Sequence, residues 1–411
     1  MSLLKFDRLL SQVISRSACL TAIAVVSLHT VALCAGSPQT SESPRADGLE
    51  MAVGAALPDF SLPGTDGKVH RLAEYSGSRI LAIVFESNDC PVSQLYEDRI
   101  RKLAEEYRGK SVALIAVNPN DSKVLRFSEQ AYSDVGEDLE DMKVHSAEHR
   151  ITWSYLSDSA QTLTSNLKPT ATPEIFLFDS ERKLRYRGRI DDNLETSEAK
   201  SNDARVALDA LLAGQAPLAV TTPVAGCAID WPSQESAAQA ELAQVEAQPV
   251  TLSLAQKEDL KKLRNNPTGK LLLVNFWATW CGPCVTEFGN LQQTFRIFHE
   301  RGLEFTMVSV NDPEEKASVL DFMKTEHATS RNLIFGESDV YGMEAAFDPG
   351  MEGPVPATIL LDPHGEVLYQ QIGDLDVPKI RQAILQNLPD PNEYPGEQAY
   401  WSAIASGSGS K

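Results

Sequence analysis

Val274–Cys284 reads Val-Asn-Phe-Trp-Ala-Thr-Trp-Cys-Gly-Pro-Cys, and its flanks give it meaning. An apolar run, Leu271–Trp277, leads into Trp280-Cys281-Gly282-Pro283-Cys284, and a helical pattern follows from Val285 to His299. A strand, then two cysteines at i and i+3, then a helix is a layout that makes a reactive thiol pair. The sulfur of Cys281 falls at a helix N-terminus, where unpaired N–H groups and the macrodipole favour an anion. Cys284 lies one turn in, close enough to close a disulfide. Pro283 supports the helix start, where its missing N–H would have been orphaned anyway. A zinc knuckle, the other use of such a pair, needs a second Cys or His pair at zinc spacing, and none follows.

These residues resemble the thioredoxin superfamily. The wider string Asn275–Trp280, with Glu287 three past Cys284, is more similar to the extracytoplasmic thiol-disulfide reductases of the TlpA/ResA type, over residues 254–387. The resemblance implies that Cys281 attacks a substrate disulfide as thiolate and that Cys284 resolves the mixed disulfide. It implies a Glu287 carboxylate buried beneath the disulfide to handle protons, and a Trp280 that shields one side of the sulfur. It also implies a cis-proline facing the pair. Pro356, before the strand Ala357–Leu361, fits that place, and its backbone edge would accept an extended substrate segment as an added strand. There is one departure: the family's proline two residues past the glutamate is Gly289 here. Gly342–Gly353, with Pro349 and the following Pro354, sits just before Pro356 and is expected to form a substrate-selecting rim.

The chain has 411 residues, which suggests two or three domains, and its 42% apolar content is enough for real cores. A net charge of −20 argues against nucleic acid as a partner, since no basic stripe offsets phosphate repulsion. Six cysteines are too few for a disulfide scaffold. Lys5, Arg8 and Arg16 precede the uncharged, mostly apolar Ala18–Ala35, and small residues (Ala32, Ala35, Gly36) end it: an export signal. An uncleaved anchor is the alternative. Cys34 raises the thought of a lipoprotein, but Leu33 before it is a poor lipobox residue. The domains are expected to face an oxidising compartment, the periplasm or cell envelope.

The expected organisation is a signal peptide (1–35), a disordered linker (36–50), a first domain (51–215), a linker carrying Cys227 (216–250), a second domain (251–392) and a flexible tail (393–411). In the first domain, buried strands are expected at Ile80–Phe85 and Val112–Val117, and a helix at Val92–Tyr107. Amphipathic helices are expected in an insertion over residues 121–165, a hairpin at residues 174–189 and a closing helix at Asp203–Ala213. The second domain adds a helix at Leu254–Arg264 and strands at Leu271–Trp277, Glu304–Val310, Ala357–Leu361 and Val367–Ile372. Its remaining helices are expected at Val285–His299, Glu314–Glu326 and Val377–Leu388. The halves repeat each other. Cys90 and Cys281 each follow an apolar strand and start a helix. Pro173 and Pro356 each precede a strand, and Asp179 and Asp362 each open a hairpin six residues later. The expected fold class is therefore α/β: two tandem thioredoxin-like domains, each a central mixed β-sheet flanked by helices.

Asp89-Cys90-Pro91-Val92-Ser93 has one cysteine where a thioredoxin has two, with Ser93 in the second place. Together with Thr172-Pro173-Glu174-Ile175-Phe176 it resembles the AhpC/TSA-type redoxins, a group that includes peroxiredoxins, over residues 51–231. The peroxiredoxin pattern wants a threonine or serine three before the cysteine, which Ser87 fits. It wants a proline four before that, where Ile83 stands. It also wants an activating arginine, which Arg150, Arg187 and Arg189 leave unassigned. Related redoxins share a Gly-Cys where this chain has Gly226-Cys227. The resemblance implies a disulfide from Cys227 back to Cys90, catalytic or structural.

The function expected is an exported thiol-disulfide oxidoreductase using Cys281 and Cys284, with a second redox-type domain centred on Cys90. It needs no cofactor and no metal. Its partners are protein disulfides of the cell envelope and an upstream thiol reductant. The alternatives are a thiol peroxidase at Cys90, resolved by Cys227 and consuming peroxide, and a first domain that only binds. Two patterns are set aside. His145-Ser146-Ala147-Glu148-His149 matches a zinc-protease pattern, but the solvated face of a helix accounts for it. The acidic run Glu137–Asp141 reads as a solvated helix start.

Overall fold

The computed structural model describes residues 50–337, 340–348 and 354–388. The expected signal segment, the first linker and the tail, with Pro349 and the rest of the rim up to Gly353, lie outside the described residues. Among the described residues, no helix is long and apolar enough to cross a membrane.

The first half runs β1 (Ser61–Pro63), β2 (Val69–Arg71), β3 (Ile80–Phe85), α1 (Pro91–Tyr107), β4 (Val112–Asn118), α2 (Leu139–Glu148), β5 (Ser154–Ser157), α3 (Thr164–Leu167), β6 (Glu174–Phe178), β7 (Leu184–Gly188) and α4 (Asp203–Leu212). Helix α5 (Glu235–Glu246) follows. The second half runs β8 (Ser253–Ala255), α6 (Lys257–Arg264), β9 (Leu271–Trp277), α7 (Gly282–Phe298), β10 (Leu303–Ser309), α8 (Lys316–Thr325), β11 (Arg331–Phe335), α9 (Val340–Phe347), β12 (Ala357–Leu361), β13 (Val367–Ile372) and α10 (Val377–Asn387).

The two large sheets share one plan. Their strand orders are β5-β4-β3-β6-β7 and β13-β12-β9-β10-β11-β8. In each, the central strand (β3 or β9) pairs in parallel with one neighbour (β4 or β10) and antiparallel with the other (β6 or β12). Both central strands are buried at every residue, as a strand covered on both faces must be. The period-2 pleat of β3 sends Ile80, Ala82 and Val84 into one core and Leu81, Ile83 and Phe85 into another. A helix follows each central strand at once. Tyr96, Ile100, Leu103 and Tyr107 line the buried face of α1.

The antiparallel register decides where chemistry can happen. Phe85, at the end of β3, stands opposite Glu174, at the start of β6; Phe276 stands opposite Ala357 in the second sheet. Whatever precedes β6 or β12 therefore lies beside whatever follows β3 or β9. Those residues are the two prolines and the two cysteine turns.

Three expectations need correction. Leu254 belongs to strand β8, and the helix expected from it begins at Lys257. The segment 121–165 is not all helical: Ser154–Ser157 joins the first sheet as edge strand β5, in parallel with β4. Nor is 216–250 a plain linker, because Glu235–Glu246 is a helix. Its Ala, Glu and Gln are strong helix formers, and composition alone could not separate helix from tether. Its Ala238 is buried, and Glu241 accepts a hydrogen bond from the Phe127 N–H at 2.9 Å, so the helix is held in place.

Candidate active site

The pair in the second half is built by the turn from β9 into α7. Cys281 is the N-cap of α7 (φ −88°, ψ 106°), and its Sγ accepts from the Cys284 N–H at 3.3 Å. The two sulfurs are joined in a disulfide with Cα atoms 5.3 Å apart. A sulfur that caps a helix sits in the positive end of the macrodipole, so its thiolate is favoured after reduction. The turn itself is pinned. Asn311 Oδ1 accepts from the Thr279 N–H at 3.0 Å, and Asn311 Nδ2 donates to Thr279 Oγ1 at 2.7 Å. Helix α7 runs unbroken through Gly289, so the departure from the family's proline leaves no interruption.

Val355–Pro356 is cis, and the Val355 carbonyl oxygen lies 3.6 Å from Cys281 Sγ. Trp280, expected to shield the sulfur, is 63% exposed and offers its ring largely to solvent. Glu287 is buried one turn past Cys284, where Oε2 accepts from the Leu375 N–H at 3.0 Å and Oε1 has no partner. Burial pushes its carboxyl up to about 7, and nearby Asp374 pushes the same way. Sequence reasoning missed Asn275. This one polar residue in an otherwise apolar buried strand lies under the site, helps hold Glu287 down, and donates to Thr358 Oγ1 at 3.0 Å. The polar break within Leu271–Trp277 was its only signal.

A carboxyl raised from 4.5 to about 7 takes up a proton on folding between those values. Its contribution to stability is therefore complete below the lower value and falls as pH rises through the upper one. Near pH 6 it is a proton donor; above pH 8 it is an anion held close to the disulfide. Glu287→Gln is expected to remove an inflection near pH 7 from the pH–rate profile of thiol exchange while leaving a Cys281 inflection in place. An unchanged profile would show that Glu287 does not handle the protons.

The first half repeats the turn with one exchange. Cys90 N-caps α1 (φ −87°, ψ 109°) and accepts from the Ser93 N–H at 3.3 Å, as Cys281 does from Cys284. Its partner sulfur comes from far along the chain: Cys227, 137 residues away, with Cα atoms 5.8 Å apart. Thr172–Pro173 is cis. Cys227 lies antiparallel to Thr172, with Thr172 N–H donating to the Cys227 carbonyl at 3.0 Å and Cys227 N–H to the Thr172 carbonyl at 2.9 Å. Gly226 has to be glycine, since a Cβ there would lie 2.0 Å from the Thr172 oxygen. Ile229 and Asp230 are buried beyond it.

Glu137 is the largest surprise here. Read as a solvated helix start, it is fully buried. Its carboxylate accepts from Ser87 Oγ at 2.5 Å, from the N–H groups of Asn88 (3.2 Å) and Asp89 (2.8 Å), and from Asn118 Nδ2. The next residue, Asp138, does N-cap α2, as an acidic helix start should. Ser87 thus spends its hydroxyl proton on Glu137. Among the described hydrogen bonds no arginine reaches Cys90: Arg187 is held by Glu174 at 2.8 Å and Arg189 by Asp203 at 2.7 Å. Burial, then Glu137, pushes the Asp89 carboxyl beside Cys90 well above its usual range.

Comparison with known proteins adds the following. Residues 53–187 match the AhpC/TSA family, and residues 242–384 match Redoxin. A thiol-disulfide oxidoreductase ResA of Bacillus subtilis is 32% identical over 128 residues, which is 31% of this chain and 66% of the relative. The ResA of Geobacillus kaustophilus is 34% identical over 99 residues, 24% of this chain and 52% of the relative. The chain therefore spans about half to two thirds of the length of these curated relatives. A solved hypothetical protein of Sinorhizobium meliloti is 32% identical, covering 45% of this chain and 97% of that one, with a TM-score of 0.40.

Proposed function

We propose that this chain, a tandem of thioredoxin-fold domains with an AhpC/TSA-type domain ahead of a Redoxin-type domain, is an exported thiol-disulfide oxidoreductase working through Cys281 and Cys284. The contrast between the two cis-proline edges carries this reading. In the first domain the edge is taken. A cysteine-bearing strand from the chain itself lies along Thr172 with its sulfur bonded to the helix-capping Cys90. In the second domain Val355 stands where Thr172 does, and among the described residues no backbone group pairs with it. The first site supplies a template for how an extended segment with a cysteine occupies the second.

Reduced Cys281 attacks one sulfur of a substrate disulfide. That S–S bond breaks, and the other substrate sulfur leaves as a thiolate. Cys284, deprotonated, then attacks Cys281 Sγ, releasing the substrate's second thiolate and closing the Cys281–Cys284 disulfide. Two electrons have passed to the substrate. Glu287 exchanges the protons that the leaving and attacking sulfurs need. The Val355 edge holds the substrate strand. Relatives named thiol-disulfide oxidoreductases support the activity. With residues 1–35 serving as an export signal, the substrates are protein disulfides of the periplasm or cell envelope. An upstream thiol reductant returns the pair to its dithiol form.

The reduction potential of the Cys281/Cys284 pair tests the direction. A value near the thioredoxin figure of about −270 mV is expected for a reductant. A value near the about −120 mV of a strongly oxidising dithiol would overturn the reductase reading.

A further inference from the structure

Helix α2 carries the histidine pattern that redox chemistry does not use. His145 and His149 are one turn apart on one helix face, as zinc-binding histidine pairs are. The solvated-face reading does not survive the structure, because the His145 side chain is only 3% exposed. The two rings stack, centroids 3.9 Å apart, and both turn to one carboxylate on the neighbouring helix α1. His145 Nε2 lies 2.7 Å from Glu97 Oε1, and His149 Nδ1 lies 2.7 Å from Glu97 Oε2. The three side chains are 3%, 37% and 12% exposed for His145, His149 and Glu97, so the cluster is walled on one side and open on the other.

From this convergence we infer that Glu97, His145 and His149 form a binding site for a zinc-class divalent cation, with water completing the coordination on the His149 side. One ligand atom from each residue lies within 4.8 Å of the other two. Two imidazoles and a carboxylate are a donor set suited to zinc, and three protein ligands with one open position are a familiar zinc arrangement. Ligands at about 2.1 Å in tetrahedral geometry stand about 3.4 Å apart, so each nitrogen–oxygen pair has to open by roughly 0.7 Å. His149 caps the end of α2 and is half-exposed, which leaves room for that movement.

The surroundings suit a cation: Glu97 supplies a carboxylate to both rings, and Asp134 and Glu148 add to the negative field around His149. A metal between the rings and Glu97 takes the lone pair of His145 Nε2, which leaves the ring proton of His145 on Nδ1. That nitrogen is buried without a partner. Oriented zinc ligands usually have a hydrogen-bonded second nitrogen, whose loss weakens affinity about 10- to 100-fold. The site is therefore weaker than a structural zinc site, and zinc exchanges from it. Bound metal ties α2 to α1, the helix that Cys90 caps.

The test is zinc titration of the full chain with both disulfides oxidised and Cys19 and Cys34 alkylated, so that no thiolate competes. Expected are one zinc per chain and binding at least tenfold weaker in both His149→Ala and Glu97→Gln. Cobalt substituted for zinc should give visible d–d bands without sulfur charge-transfer bands. Circular dichroism checks that each variant is folded; His149→Ala changes a half-exposed residue at a helix end, and Glu97→Gln keeps the side chain's shape. No binding at millimolar zinc, equal affinity in folded variants, or sulfur bands in the cobalt spectrum would each overturn the site.

Discussion

In full-length protein carrying Cys284→Ser, Cys281 should accumulate as a mixed disulfide with its substrates, and turnover should fall by at least on the order of 10³-fold. The magnitudes separate two contributions to catalysis. For cysteine thiols in general, a helix mouth that lowers the pKa from about 8.5 to about 7 raises the thiolate fraction at pH 7 some 15-fold. A less basic thiolate is also a poorer nucleophile, and with a Brønsted slope of about 0.5 that takes back about sixfold. The helix mouth alone therefore accelerates attack only about threefold. Resolution is different. Cys284 stands within bonding distance of Cys281 Sγ, as the disulfide between them shows. Well-oriented intramolecular groups act at effective concentrations of 10⁵ M or more, against about millimolar for an external thiol. Cys281→Ser, by contrast, should trap nothing and leave only background exchange. Trapping followed by non-reducing gels reads both. A Cys284→Ser protein that turns over at near the normal rate would mean the second sulfur is not the resolving group. A folded variant that traps no partner would count against a reductase role altogether.

The parts of this site that the sequence makes legible are local. An apolar run, a cysteine, a helix-starting proline and an amphipathic pattern lie within one stretch of chain. Both turns, at Cys90 and at Cys281, follow from it. The two cis-prolines come from repetition, the same landmark in both halves before a strand. The Cys90–Cys227 bond is different, because 137 residues separate its ends and only resemblance suggested it. Apart from Glu287, which the resemblance put beneath the disulfide, burial of polar residues was not legible. His145 looks solvated in its own helix, and becomes buried because α1 brings Glu97 across. Asn275 looks like an interruption until β12 supplies Thr358. Helix α5 hid in a composition that suits a tether and a helix equally. In each case the deciding partner comes from a segment far away in sequence, where no periodicity carries the information.

Glu137 is the sharpest example, and Glu137→Ala is expected to be among the most destabilising single changes in the first half of the chain. The carboxylate gathers four donors: two backbone N–H groups, a hydroxyl and a side-chain amide. Three belong to Ser87, Asn88 and Asp89, the loop that delivers Cys90 to the head of α1. Removing the acceptor leaves those donors buried, and each unsatisfied donor costs about 1–3 kcal/mol. Water entering the vacated space recovers part of this, which leaves about 4 kcal/mol, or roughly 10–20 °C in Tm. Glu137→Gln divides the effect. Its amide oxygen in the Oε1 position keeps Ser87 and Asp89, while its NH2 faces two further donors. Asn118 cannot turn its own oxygen to meet it, because that oxygen already accepts from the Asn120 N–H at 3.0 Å. About half the loss, roughly 2 kcal/mol, is expected there. Denaturant unfolding of both variants measures the two steps. The rate at which a small dithiol reduces Cys90–Cys227 reads the loop itself, and it should rise in both variants in the same order. A Glu137→Ala protein within about 1 kcal/mol of the parent, with an unchanged reduction rate, would mean that the loop holds its shape without the carboxylate.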